Sequence, residues 1–230
     1  MTNPRGGPPP ILDSMTERFA ARRSALLIID MQKDFCTPGF GAEQLGRDIS
    51  AARAVIPQIC ELRQSARDAG ALVIHVAFCT LPSHASDSGA WLAQRRRSTA
   101  SGDSLCIAGT PGFAFIDELT PDDGELVVEK HRYSAFTGTS LDMKLRANHV
   151  ESLVITGVST NACVESTARA ACELDYYLCV PPDAVGSWDQ KLHEATLQNI
   201  NHRFGVTLPA EDITPIWNSD ATHAPGTREV

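Results

Sequence analysis

Leu153-Val-Ile-Thr-Gly-Val-Ser-Thr-Asn-Ala-Cys163-Val-Glu-Ser-Thr167 decides how the chain is read. Leu153 to Thr156 is an apolar, β-branched run of the kind that fills a buried parallel strand. Gly157 stops it, small residues turn the chain, and Cys163 stands where a helix begins. A helix N-terminus offers unpaired N–H groups and roughly half a positive charge, and both favour thiolate over thiol. The same N–H groups can hold an oxyanion while sulfur attacks a carbonyl. Cys163 is therefore a candidate nucleophile, weighed against the plainer reading of a lone cysteine as a small core residue.

Outward from that stretch, strand and helix alternate. Residues 25–30 form a continuous apolar run ending in an acid, and 72–77 a second one. Residues 125–130 form a third strand ending in a lysine, and 152–156 and 177–180 read as the fourth and fifth. Helical spacing covers 49–69, 140–148, 161–174 and 189–203. The pattern predicts one α/β domain of Rossmann type, with a mostly parallel sheet and helices on both faces. Residues 1–20, rich in Pro and Gly at the start, are expected to be a flexible arm. The domain is expected over 21–218, followed by a flexible tail over 219–230. Residues 79–124 read as a long irregular excursion above the sheet.

The bulk composition excludes several classes. Of 230 residues, 43% are hydrophobic and 21% charged, as in ordinary water-soluble domains. A net charge of −8 with no sustained basic tract argues against a nucleic-acid partner. No run approaches the ~18 apolar residues that span a bilayer, and residues 1–10 lack the apolar core of a signal peptide, so neither a membrane nor export is expected. The seven cysteines are scattered and form no C-x-x-C pair, which indicates neither a disulfide framework nor a zinc site. A reducing, cytoplasmic setting fits best.

Ligands of open α/β sheets bind beyond the carboxyl ends of the strands. Asp30 ends the first strand, Lys130 the third, and Cys163 follows the fourth. Each has a bland reading, as a turn former, a solvated charge and a core thiol. Together they place an acid, a cation and a thiol on one rim. A free thiol ionises near ~8.5, so Lys130 and the helix end would favour its thiolate. Asp30 could take the thiol proton and hand it to a leaving amine. Backbone N–H groups at Ser159 and Cys163 would hold the oxyanion, giving acyl transfer through a thioester.

These residues resemble the cysteine hydrolases of the isochorismatase-like superfamily, over about residues 24–207. The blocks are Ala25-Leu-Leu-Ile-Ile-Asp-Met-Gln-Lys-Asp-Phe35, Val128-Glu-Lys-His-Arg-Tyr-Ser-Ala-Phe136 and Thr156-Gly-Val-Ser-Thr-Asn-Ala-Cys-Val164. The resemblance implies a catalytic triad of Asp30, Lys130 and Cys163, and a cis peptide before Ser159. It also implies a six-stranded sheet and a homodimer or homotetramer. Nicotinamidases of the superfamily bind a metal through an Asp-x-His after the second strand. Here Phe78-Cys-Thr-Leu-Pro-Ser-His84 lacks it, and His75 reads as a core histidine, so no metal or other cofactor is expected. Isochorismatases proper can lack the cysteine, so Cys163 argues for C–N cleavage. The Lys130 and Cys163 blocks look like those of ureidoacrylate amidohydrolases, and Ser134 to Leu141 looks like N-carbamoylsarcosine amidohydrolase, with biuret and triuret hydrolases nearby.

Phe35, Phe40, Tyr133 and Phe136 flank the triad in sequence and are candidate aromatic walls of a dry pocket. Arg132 could fork onto a substrate carboxylate, and Asn161 and Gln198 could read an amide. Arg95 to Arg97 read most simply as a solvated face, with an anion site serving a neighbouring subunit as the alternative. Two rival functions remain on the sequence. Cys163 and Arg169 fit the Cys-x5-Arg spacing of cysteine phosphatases, although Glu165 would repel a bound phosphate. A non-catalytic small-ligand-binding relative is the other. No G-x-G-x-x-G follows the first strand, which speaks against dinucleotide binding.

Overall fold

The apolar runs become strands buried on both faces. In the computed structural model, which describes residues 10–97 and 104–221, six strands make one sheet. β1 (Ser24–Ile29) is buried at every position and lies between β2 (Leu72–Phe78) and β4 (Ser152–Val158). β3 (Leu126–Lys130) is the edge beyond β2, and β5 (Tyr177–Cys179) flanks the start of β4. β6 (Val185–Gly186) pairs only with Gly157 and Val158 at the end of β4. Every strand pairing is parallel, so all carboxyl ends share one rim.

The helices follow in chain order: α1 (Met15–Arg18), α2 (Lys33–Cys36), α3 (Gly41–Gln44), α4 (Ser50–Ala54), α5 (Ile56–Ala69) and α6 (Gly89–Arg95). Then come α7 (Leu141–Ala147), α8 (Glu165–Glu173), α9 (Gln190–Asn199) and α10 (Ala210–Ala221). They cover both faces, and the strand period of two sorts the core. Leu26 and Ile28 of β1 join the cluster under α5 and α10, whereas Ala25, Leu27 and Ile29 join the one under α7 and α8.

Three expectations are corrected. The helix expected over 49–69 is two, α4 and α5, because Pro57 at the start of α5 has no N–H to continue the preceding turn. The arm expected over 1–20 is structured at its inner end. Ser14 and Glu17 form a capping box on α1, and Phe19 is buried in the core. Residues 1–9 lie outside the described residues, as do 98–103 of the excursion and 222–230 of the tail. The segment before that tail forms α10, which runs past 218 and buries Ala210, Ile213 and Trp217 against α5's side of the sheet. β6 completes the six strands that the resemblance implies; the residues themselves mark only five, since two residues carry no periodicity.

The excursion over 79–124 is irregular, with α6 and short 3₁₀ turns, and two residues just past β1 hold it down. Gln32 donates through Nε2 to the Phe78 and Phe113 carbonyls at 3.0 and 2.7 Å, and its Oε1 accepts the Phe78 N–H at 2.8 Å. The Asp34 carboxylate accepts N–H groups of Gly41 at 3.1 Å and Cys106 at 2.6 Å.

Candidate active site

Three strand ends bring the acid, the cation and the thiol together. Asp30, the residue after β1, adopts a positive φ of 54°, and its N–H donates to Val76 O at 2.8 Å. Lys130 ends β3 in register with Phe78 and reaches past that ring, with Nζ 4.8 Å from its centre. Nζ donates to Asp30 Oδ2 at 2.9 Å, to Cys163 Sγ at 3.2 Å and to the Arg132 carbonyl at 3.2 Å. All three protons of the ammonium are thus engaged and its position is fixed.

Cys163 lies in a π-helical turn, Thr160–Val164, that leads into α8. β4 passes close enough to β1 that a Cβ on Gly157, at φ 104°, would collide with the Ile29 carbonyl oxygen. The next peptide, Val158–Ser159, is cis. The Ser159 carbonyl then accepts the Ala162 and Val164 N–H groups at 3.1 and 3.2 Å. Thr167 Oγ1 donates to Cys163 O at 2.7 Å and accepts the Ala135 N–H at 3.0 Å, tying this turn to the segment after Lys130.

The electrostatics correct one expectation. Burial pushes the Cys163 thiol up to about 12, and the Asp30 charge adds to that, outweighing Lys130. The resting sulfur therefore keeps its proton. Burial also raises Asp30 above the usual carboxylate range, against the pull of Lys130. Burial alone would lower Lys130, but Asp30 and Cys163 hold it above its ordinary value. Asp30 and Lys130 form a buried ion pair beside a neutral thiol. Asp30 Oδ1 is buried with no hydrogen-bond partner, so the carboxylate keeps an open acceptor in the site.

The site opens into a pocket of about 290 Å³. Of the expected residues, Asp30, Cys163, Ser159, Asn161, Phe35 and Tyr133 line it. Lys130, which is fully buried, and Phe40, Arg132, Phe136 and Gln198 do not. Phe40 is half-buried where α3 begins. The Arg132 guanidinium donates to the Ser86 and His131 carbonyls and lies 4.9 Å from the Trp91 ring. Phe136 stacks on Tyr176 at 6.0 Å, and Gln198 is exposed on α9. Arg132 instead supplies its carbonyl to Lys130.

Sequence reasoning missed Arg47, Phe78, Arg95, Leu105, Ser187, Trp188 and Asp189, all of which line the pocket. Ser187 to Asp189 could have been found, since they lead from the carboxyl rim into α9, which Asp189 caps. The solvated reading of Arg95 to Arg97 fails for Arg95, which is 7% exposed and donates to Thr80 Oγ1 at 3.1 Å. Arg169 is paired with Glu165 at 2.6 Å and packs 4.2 Å from the Phe204 ring, so it is no part of the pocket. His75 is fully buried and bonded to Glu125 Oε2 at 2.9 Å. Among the described residues, no group of three His, Cys, Asp or Glu side chains is gathered as a cation site.

This geometry has relatives. The family model described as the isochorismatase domain matches residues 24–212. A ureidoacrylate amidohydrolase of Methylorubrum extorquens is 36% identical over 197 residues, covering 81% of this chain and 79% of that protein. One of Klebsiella pneumoniae is 35% identical over 205 residues, covering 84% and 86%. Among solved structures, a cysteine hydrolase of Pseudomonas syringae pv. phaseolicola superposes with a TM-score of 0.79 at 25% identity, covering 88% of this chain and 96% of that one. The N-carbamoylsarcosine amidase of Thermoplasma acidophilum superposes with a TM-score of 0.65 at 26% identity, covering 81% and 95%. With the family model spanning most of the sequence and the same parallel sheet beneath the site, the chain belongs to the isochorismatase family of hydrolases.

Proposed function

We propose that the chain is a cysteine-dependent amidohydrolase that cleaves a linear amide or ureido C–N bond of a small molecule. The observation that carries this reading is the buried Lys130 ammonium, which bridges Asp30 and Cys163, two residues that line the 290 Å³ pocket. On attack, the Cys163 S–H proton passes to Asp30, and the S–C bond forms at the substrate carbonyl. The N–H groups of Ser159 and Cys163 hold the resulting oxyanion, and Lys130 keeps Asp30 in reach of both proton transfers. Collapse breaks the C–N bond, and the Asp30 proton leaves with the amine or ammonia. Water then attacks the thioester, giving its proton to Asp30, which returns one to the sulfur as the S–C bond breaks. A ureido substrate leaves as a carbamate, which loses carbon dioxide in solution.

Phe35, Tyr133, Phe78 and Trp188 exclude water around these charges, and Asn161 is the amide-reading group nearest the nucleophile in sequence. We read the protein as a cytoplasmic homodimer or homotetramer without a cofactor; among the described residues no helix is long and apolar enough to cross a membrane. The test is ammonia release from ureidoacrylate, N-carbamoylsarcosine, biuret, triuret and nicotinamide, with Cys163→Ala as control. Release from a ureido compound that disappears in the variant is the expected result. Release that survives in Cys163→Ala removes the sulfur from the reaction.

A further inference from the structure

Cys163 sits in a single π-helical turn, Thr160–Val164, which is wider than an α-turn. At its start the Ser159 carbonyl accepts the Ala162 and Val164 N–H groups, on either side of Cys163. At its end the Glu165 N–H donates to both the Thr160 and the Ala162 carbonyl. Both ends are held by shared rather than dedicated backbone bonds, so the set of the turn depends on side chains packed against it.

Those side chains come from the segment after β6. Ser187 Oγ donates to Asn161 Oδ1 at 2.5 Å, and Thr196 Oγ1 donates to Glu165 Oε2 at 2.6 Å. Between them in sequence, His193 Nδ1 shares a hydrogen bond with Thr160 Oγ1 at 2.9 Å. His193 and Thr196 lie one helical turn apart on α9 and so present one face to the nucleophile turn. The His193 bond falls on Thr160, which is fully buried and directly follows Ser159.

His193 itself is half-buried, and burial holds its imidazole below the ordinary value against the pull of Glu194. The ring is therefore neutral at pH 7, where Nδ1 can accept the Thr160 hydroxyl proton. It does not line the pocket, so its contribution to the reaction is one of geometry.

We propose that His193 is a positioning residue: bonded to Thr160, it holds the nucleophile turn in the form that aims the Ser159 and Cys163 N–H groups at the oxyanion. The natural reaction rests on the amidohydrolase reading above, but the aim of those N–H groups can be read on any acyl transfer to Cys163.

The experiment compares two reactions of Cys163 in the full chain at one pH, with Cys163→Ala as the blank. p-Nitrophenyl acetate acylates the sulfur: the S–C bond forms at the carbonyl, the thiol proton passes to Asp30, and the C–O bond to p-nitrophenolate breaks. Iodoacetamide alkylates the same sulfur with loss of iodide and passes through no oxyanion. His193→Leu is expected to slow acetylation by about 10- to 100-fold while alkylation and the urea midpoint hardly move. His193→Asn, whose side-chain amide reaches the place of Nδ1, restores most of the rate. Thr160→Val gives the same loss, and the double variant is no slower than either single one. Thr160→Val also carries the test if His193→Leu does not fold. On a ureido substrate kcat falls, while KM moves by less than about threefold.

An unchanged acetylation rate, acetylation and alkylation shifting together, or losses that add in the double variant overturn the proposal. So does acetylation of Cys163 no faster than that of the partly exposed Cys60 and Cys172, since no oxyanion hole would then be at work. Acetylation that depends on His193, with no ammonia release from any ureido compound, keeps the positioning role and removes the amidohydrolase reading. Ammonia release with a kcat untouched by His193→Leu does the reverse.

Discussion

Cys163 carries its proton at rest, and this sets how it should react. Iodoacetamide alkylation, followed by mass spectrometry of the Cys163 peptide, is expected to be slow at pH 7 and to keep rising beyond pH 10, because the thiol is pushed up to about 12. A plateau between pH 6 and 8 would show a resting thiolate and sink the proton-transfer scheme. Asp30→Asn keeps the shape of the side chain but removes the base, so kcat/KM should fall by about 10²–10⁴ while the fold persists. Lys130→Met strands a buried carboxylate and should cost about 3–5 kcal/mol of stability in urea unfolding, as well as activity. That these three side chains would meet was legible, because Asp30 and Lys130 each end an apolar run and Cys163 follows the small-residue turn after Gly157. Their protonation was not. The sequence shows that a lysine and a helix end lie near the sulfur, but not that burial and Asp30 outweigh them. Arg132 misled for a related reason: its position beside Lys130 is local, whereas its guanidinium turns to the Ser86 carbonyl, set by a distant loop.

β4 and the segment after β1 hold the site as elements. Gly157→Ala would drive a methyl into the Ile29 carbonyl from a left-handed backbone position. It should cost about 3 kcal/mol or more, read as a lower urea midpoint, and an unchanged midpoint would mean that the β1–β4 spacing relaxes. Asp34→Ala removes the acceptor of the Gly41 and Cys106 N–H groups. Hydrogen exchange should accelerate around residues 104–108 while β1 and β4 stay protected; uniform acceleration would instead mark Asp34 as part of global stability. The central strands were readable because parallel strands covered on both faces carry no polar alternation. β6 was invisible at two residues, yet it carries Ser187 to Asp189 into the pocket. α10 was readable in principle from the 210, 213, 217 spacing of its buried residues, but it lies next to a segment whose composition suggested a tail.

At the scale of the molecule, the rim opposite the pocket holds an acid-sensitive lock. Burial opposes ionisation of Glu125, but Arg67, the Asp122 N–H and His75 hold its carboxyl down to about 2. Burial also lowers His75. Both shifts are depressions, so the unfolded chain binds more protons than the folded one in acid. Stability is present at neutral pH and is lost as pH falls from about 6.5, through 4.5, toward the folded values. Thermal melts should show that slope, and Glu125→Gln should flatten it below pH 4.5; an identical slope would place the acid sensitivity elsewhere. Trp217→Ala on α10 should cost about 3–5 kcal/mol, a cavity cost that a mere tail would not show. The strand order has a last consequence, for the newborn chain. β1 gains β2 by residue 78, but its other neighbour begins only at residue 152. Throughout the synthesis of residues 79–151, one flank of an almost wholly apolar strand stands open at the ribosome, ready to pair with any stray strand. The nucleophile follows that closing strand in sequence, so a product truncated before residue 152 lacks both Cys163 and the partner for this edge.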